Sequence, residues 1–156
     1  MIASHKAHNP KFQVLNIATP RQQLLPDQCQ SLGSEVTDVV SVFYGSDHFC
    51  VCHLNVKNST IYVYDGLNYS LETWKDHSIA LLKQCKFINL DCSNTFGWTT
   101  GMRSMILDGT SGNWVMRPGL TTHQQTNPYD CGPLACLQIM CIFGRIQDMP
   151  KLNTLT

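Results

Sequence analysis

The sequence predicts an α+β protein, and three stretches carry that expectation. Residues 36–65 read as successive β-strands joined by short turns, Leu71 to Gln84 has helical spacing, and an almost wholly apolar helix begins at Cys131.

The strand region is the most regular. Val36 to Tyr44 is β-branched and aromatic, and Gly45-Ser46-Asp47 turns the chain into His48-Phe49-Cys50-Val51-Cys52-His53-Leu54. After a polar break comes Thr60-Ile61-Tyr62-Val63-Tyr64-Asp65, closed by Gly66. A hairpin folded about the Val56–Lys57 bond sets His48 directly opposite Asp65, with their Cβ atoms about 5 Å apart on one face. Period two puts Cys50, Cys52, Leu54, Ile61 and Val63 on that face, and His53, Tyr62 and Tyr64 on the other. A slip of one residue separates the imidazole from the carboxylate.

The helices follow. Asn68-Tyr69-Ser70 leads to an N-cap, and Leu71, Trp74, Ser78, Leu81, Leu82 and Cys85 give the first helix its buried stripe. Lys86 to Leu90 is expected to be a strand, a short helix is expected around Met102–Leu107, and Asn113 to Arg117 reads as a strand. From Cys131 to about Phe143 only Gln138 is polar in the helix body, which predicts burial on all sides, with Gly144 as the C-cap. Residues 1–35 are weakly patterned, with one strand expected over Lys11 to Ile17. With no repeat or low-complexity segment, the 156 residues are expected to form one domain, its regular core spanning 36–143.

Composition narrows the function classes. Formal net charge is zero with no basic run, which argues against a nucleic-acid partner or a polybasic membrane contact. No leader-like or membrane-spanning apolar stretch is visible, so an intracellular protein, nuclear or cytoplasmic, is expected, and a monomer. The eight cysteines look like buried apolar thiols more than a disulfide framework. Cys50-Val51-Cys52-His53 lacks a second ligand pair at zinc spacing, so no metal and no cofactor is expected.

Chemistry gathers at Gln124-Gln125-Thr126-Asn127-Pro128-Tyr129-Asp130-Cys131-Gly132-Pro133. Asp130 suits an N-cap, and Pro133 fits a first helical turn. A thiol at that position meets free backbone N–H groups and the positive end of the helix dipole, which favour the nucleophilic thiolate. With His48 as ion-pair partner and general acid, Asp65 as its orienter and Gln125 as oxyanion donor, the parts of a thiol acyl-transfer site are present. Taken singly, each has a plainer reading: a structural histidine, a turn aspartate, a solvated loop glutamine, one more buried thiol.

The pattern Gln-x-Asn-x-x-Asp-Cys-Gly, preceded by a strand-starting histidine and a strand-ending aspartate, resembles the ubiquitin-like-protein proteases, the SUMO/sentrin-protease family of cysteine peptidases. His48, Asp65, Gln125 and Cys131 match its positions one by one, over about Val36 to Phe143. The resemblance implies a papain-like or adenain-like fold in which a mixed sheet packs against the helix bearing the nucleophile. It also implies cleavage after the C-terminal Gly-Gly of SUMO, NEDD8 or ubiquitin. Phe49 stands where that family usually has the tryptophan that covers the diglycine, and so is expected to touch substrate. Acyl transfer by the same Cys/His pair, and an inactive module that binds a ubiquitin-like protein, are the alternatives.

Overall fold

The structure is a computed structural model, and it describes residues 10–18, 25–90, 96–99, 104–107, 114–120, 125–127 and 129–146. Among the described residues seven strands form one mixed sheet: β1 (Phe12–Ala18), β2 (Asp38–Gly45), β3 (His48–Asn55), β4 (Thr60–Tyr64), β5 (Phe96–Trp98), β6 (Met105–Leu107) and β7 (Val115–Pro118). Their order is β1-β2-β3-β4-β7-β6-β5, with β1/β2 and β4/β7 parallel and the other pairs antiparallel. Helix α1 (Leu71–Gln84) follows β4, and α2 (Cys131–Ile146) ends the described chain. The architecture is α+β, as expected.

Period two in β2, β3 and β4 splits the core in the way the sequence pattern requires. Val39, Phe43, Cys50, Cys52, Leu54 and Ile61 pack with Trp74 and Leu81 of α1 on one face. On the other, Val40, Val51 and Tyr64 pack with Ala135 and Ile142 of α2. The sheet is therefore sandwiched between the two helices.

The β3–β4 register differs from the expected one. Asn55 pairs with Thr60 and Val51 with Tyr64, so the hairpin folds about the Lys57–Asn58 bond rather than the Val56–Lys57 bond. Turn chemistry decides it. The Asn55 side chain accepts the Asn58 N–H at 3.1 Å, Ser59 N–H reaches Val56 C=O at 3.3 Å, and Ser59 takes a left-handed φ of 49°. A shift of two residues keeps every side chain on its face. His48 and Asp65 become diagonal neighbours instead of directly opposed ones, still within reach for an imidazole and a carboxylate. The β2–β3 turn needs no correction: Gly45 pairs with His48 across Ser46 and Asp47, whose φ values of 54° and 56° mark a two-residue primed turn.

Other expectations fare unevenly. The first strand and α1 lie where the pattern puts them, although Ser70 makes no side-chain cap. Lys86 to Leu90 is turn and irregular chain rather than strand, because α1 ends at Gln84 with Cys85 as its cap and Lys86 turns back with φ 60°. Met105–Leu107 is a strand that pairs with β5 and β7, not part of a helix; Met102 and Asn113 lie outside the described residues. Helix α2 runs past Gly144 to Ile146, so that glycine is no cap.

Nor is α2 buried on all sides. Ala135, Gln138, Cys141 and Ile142 face the sheet, whereas Cys136 is exposed and Met140 is 54% exposed. A single sheet face can cover only one stripe of a helix. Among the described residues the other stripe stays open, and the one polar residue of the helix body lies on the covered side.

Candidate active site

The site is built on the ends of β3 and β4. His48 is the first residue of β3 and only 2% exposed, and its Nε2 lies 2.6 Å from Asp65 Oδ1. The carboxylate is the acceptor, so Nε2 carries the hydrogen and Nδ1 is the nitrogen left for a thiol. Asp65 is itself buried and receives three further donors. The N–H of Leu67 reaches Oδ1 at 2.9 Å, while Tyr69 N–H and the Trp74 indole N–H reach Oδ2 at 3.2 and 2.9 Å. Asp65 is thus a turn aspartate and an imidazole partner at once; the two readings were never exclusive.

Gln125 is fastened to the same corner. Its backbone N–H donates to Gly66 C=O at 2.9 Å, and a Cβ placed on Gly66 would come within 3.2 Å of the glutamine's own Cβ. That close approach is what the glycine permits. The side-chain amide is buried and donates to Asn127 C=O at 2.6 Å, which occupies one of its two hydrogens. Its Oε1 is buried without a hydrogen-bond partner. Gln124 lies outside the described residues.

The segment into α2 is held by Asn127. Its Oδ1 accepts the N–H groups of Tyr129 and Asp130 at 2.8 and 3.0 Å, and its Nδ2 donates to Asp130 Oδ2 at 2.6 Å. Asp130 C=O accepts the Leu134 N–H, which starts the helix. Cys131 is therefore the first residue of α2, and it is partly exposed. Burial pushes the thiols of Cys50 and Cys52 well up and that of Cys85 to about 12, so these three are inert hydrophobes.

Cys131 stands at the start of α2, and no hydrogen bond among the described residues joins its thiol to His48, Asp65 or Gln125. The Tyr44 phenol is pushed up mainly by its hydrogen bond to Asp47, then by that residue's charge and slight burial, with Cys131 the smallest contribution. Tyr44 lies at the end of β2, next to Gly45. There Tyr44 pairs with Phe49 across the ladder, their ring centroids 4.7 Å apart, beside the Gly45–His48 pair. Phe49 is half-buried and forms a wall with Tyr44.

Four contributors were not singled out by residue pattern. By its spacing Trp74 is an apolar helix position, and a buried indole N–H usually finds an acceptor. Asn127 carries an Asx-turn signature in the motif itself. Tyr44 and Tyr69, whose ring meets the His48 ring edge-on at 5.3 Å, gave no such signal.

An open groove of about 420 Å³ borders Asp65 and Tyr69 and continues past Leu71, Trp98 and Pro118. Neither Cys131 nor His48 lines it. Among the described residues no three or more His, Cys, Asp or Glu side chains gather as metal ligands, and no helix is long and apolar enough to cross a membrane.

No protein-family model and no curated protein matches the sequence. Solved structures do match in fold. The SUMO protease Ulp1, with its catalytic cysteine oxidized to a sulfonic acid, aligns at 13% identity and TM-score 0.45, covering 74% of this chain and 45% of that one. The form oxidized to a sulfenic acid aligns at 14% identity and the same TM-score. The Ulp1-like SUMO protease catalytic domain of Chaetomium thermophilum aligns at 15% identity and TM-score 0.39, covering 70% of this chain and 36% of that one. The chain spans less than half the length of these structures. At such identities the function has to be read from the chain's own residues.

Proposed function

We propose that the protein is a cysteine peptidase that cuts the peptide or isopeptide bond after the C-terminal Gly-Gly of a ubiquitin-like modifier. The observation that carries this reading is the buried contact between His48 Nε2 and Asp65 Oδ1, with Gln125 fastened to the next residue of the same turn. The motif around Cys131 supports the substrate class.

In this mechanism Cys131 Sγ attacks the glycine carbonyl carbon as the thiolate. The free hydrogen of the Gln125 amide and the Cys131 backbone N–H receive the developing oxyanion. His48 gives its proton to the leaving nitrogen, the C–N bond breaks, and a thioester to Cys131 remains. A water molecule then loses a proton to His48, adds to the thioester and releases the modifier's carboxylate with the thiol. Asp65 holds the imidazole's orientation throughout. The Tyr44–Phe49 wall favours a chain end without side chains, as diglycine is.

The test is a panel of SUMO, NEDD8 and ubiquitin bearing a C-terminal electrophile. The wild type should form a covalent adduct with at least one, and Cys131→Ala should abolish it. No adduct with any probe, or one that survives Cys131→Ala, overturns the proposal.

A further inference from the structure

We propose that Trp74 is a positioning residue of this site, holding the Asp65 carboxylate to the body of the fold through its indole N–H. The inference rests on reading Cys131, His48 and Asp65 as the reacting group. Of the four donors to Asp65, Leu67 and Tyr69 belong to the turn that begins at Asp65 and move with it. His48 is the group to be oriented. Trp74 Nε1, at 2.9 Å from Oδ2, is the remaining donor and comes from α1.

The indole is anchored independently of the turn. It is 0% exposed, stacks on Phe43 at 6.3 Å, and meets the His77 ring at 5.2 Å in an edge-on contact. His77 in turn donates Nε2–H to Tyr44 C=O at 2.9 Å, which ties α1 to the end of β2. The same indole lies 6.2 Å from the His48 ring. One rigid side chain thus meets both partners of the pair. Without its N–H the carboxylate can rotate about Cβ–Cγ with only its own turn to hold it, and the imidazole loses a fixed orienter.

A merely structural tryptophan would affect stability alone, so the test is a double-mutant cycle on rates. Trp74 is replaced site-specifically by β-(3-benzothienyl)alanine, which keeps the shape and puts sulfur where the N–H was, and separately by phenylalanine. Each change is made with Asp65 intact and in Asp65→Ala. The readouts are kcat and KM on a modifier carrying a C-terminal aminocoumarin amide, and the rate of Cys131 alkylation by iodoacetamide at neutral pH. With Asp65 intact, kcat should fall about tenfold with KM unchanged, the size expected for one hydrogen bond to a charged group. Alkylation should slow as well. In Asp65→Ala neither change should cost anything further, because the group it acts through is gone. An equal loss in both backgrounds, or no loss with the isostere, overturns the proposal. If the wild type turns over no modifier substrate, the peptidase reading falls, and alkylation still decides the role of Trp74.

Discussion

Strand β3 carries two histidine–carboxylate pairs with nearly the same geometry. His48 meets Asp65 at 2.6 Å, and His53 meets Asp38 at 2.7 Å. The two histidines are an odd number of residues apart, so they face opposite sides of the sheet. Around the first pair are Trp74, Tyr69 and the tethered Gln125. Around the second, Thr37 donates to Asp38 Oδ2 at 2.7 Å, Tyr62 stacks on the imidazole at 6.0 Å, and Arg145 contributes its charge. A histidine beside a carboxylate is thus an ordinary way to satisfy two buried polar groups, and its neighbours decide whether it can do chemistry.

The sharpest way to break that contrast is to truncate each histidine. His48→Ala should lower kcat/KM on a modifier substrate by roughly three to four orders of magnitude, because members of a triad act as a unit. His53→Ala should leave the rate within about twofold and lower the unfolding midpoint, since it strands the Asp38 carboxylate. Comparable losses of rate in the two variants would make the pairs equivalent and dissolve the distinction.

Gln125 gives the next largest effect. Gln125→Ala should reduce kcat by about a hundredfold, the usual cost of one oxyanion donor, with KM little changed. Iodoacetamide has no carbonyl carbon to pass through a tetrahedral oxyanion, so its reaction with Cys131 should keep its rate. If alkylation slows as much as hydrolysis, the glutamine is holding the turn at Gly66 rather than stabilising charge.

What the sequence made legible followed from short-range rules. Alternation in β3 and β4 identified the shared face of His48 and Asp65, and helical spacing delimited α1. The register was missed because two turns of different length have the same face pattern, and only the Asn55 side chain and the left-handed Ser59 choose between them. Met105–Leu107 was missed because three residues carry no usable period, and the strand exists through its partners Phe96–Trp98 and Val115–Met116. Trp74 and Tyr44 join the site through tertiary contacts, from a helix and a strand whose own patterns are satisfied without it. The exposed stripe of α2 was invisible because apolar content says how much a helix can bury, and the area of its neighbour says how much it does.

The smallest effect concerns the charge state of the second pair. Burial lowers the His53 pKa from 6.5, outweighing the hydrogen bond and charge of Asp38, which raise it, and aided by Arg145. The folded protein therefore holds a neutral imidazole donating to the carboxylate. Below pH 6.5 the unfolded chain takes up a proton at His53 that the folded one resists, so the unfolded state binds more protons and stability falls as pH drops. The loss is complete once pH passes below the folded pKa. Asp38, Arg145 and Tyr62 are the charged and titratable groups facing this ring, and only Asp38 favours its protonation. The unfolding midpoint of the wild type should decline from about pH 7 to pH 5, the range in which an ordinary histidine titrates. His53→Gln should flatten that decline without altering the pH dependence of turnover. A midpoint that instead fell less steeply in the wild type than in His53→Gln would mean that the folded pair is charged.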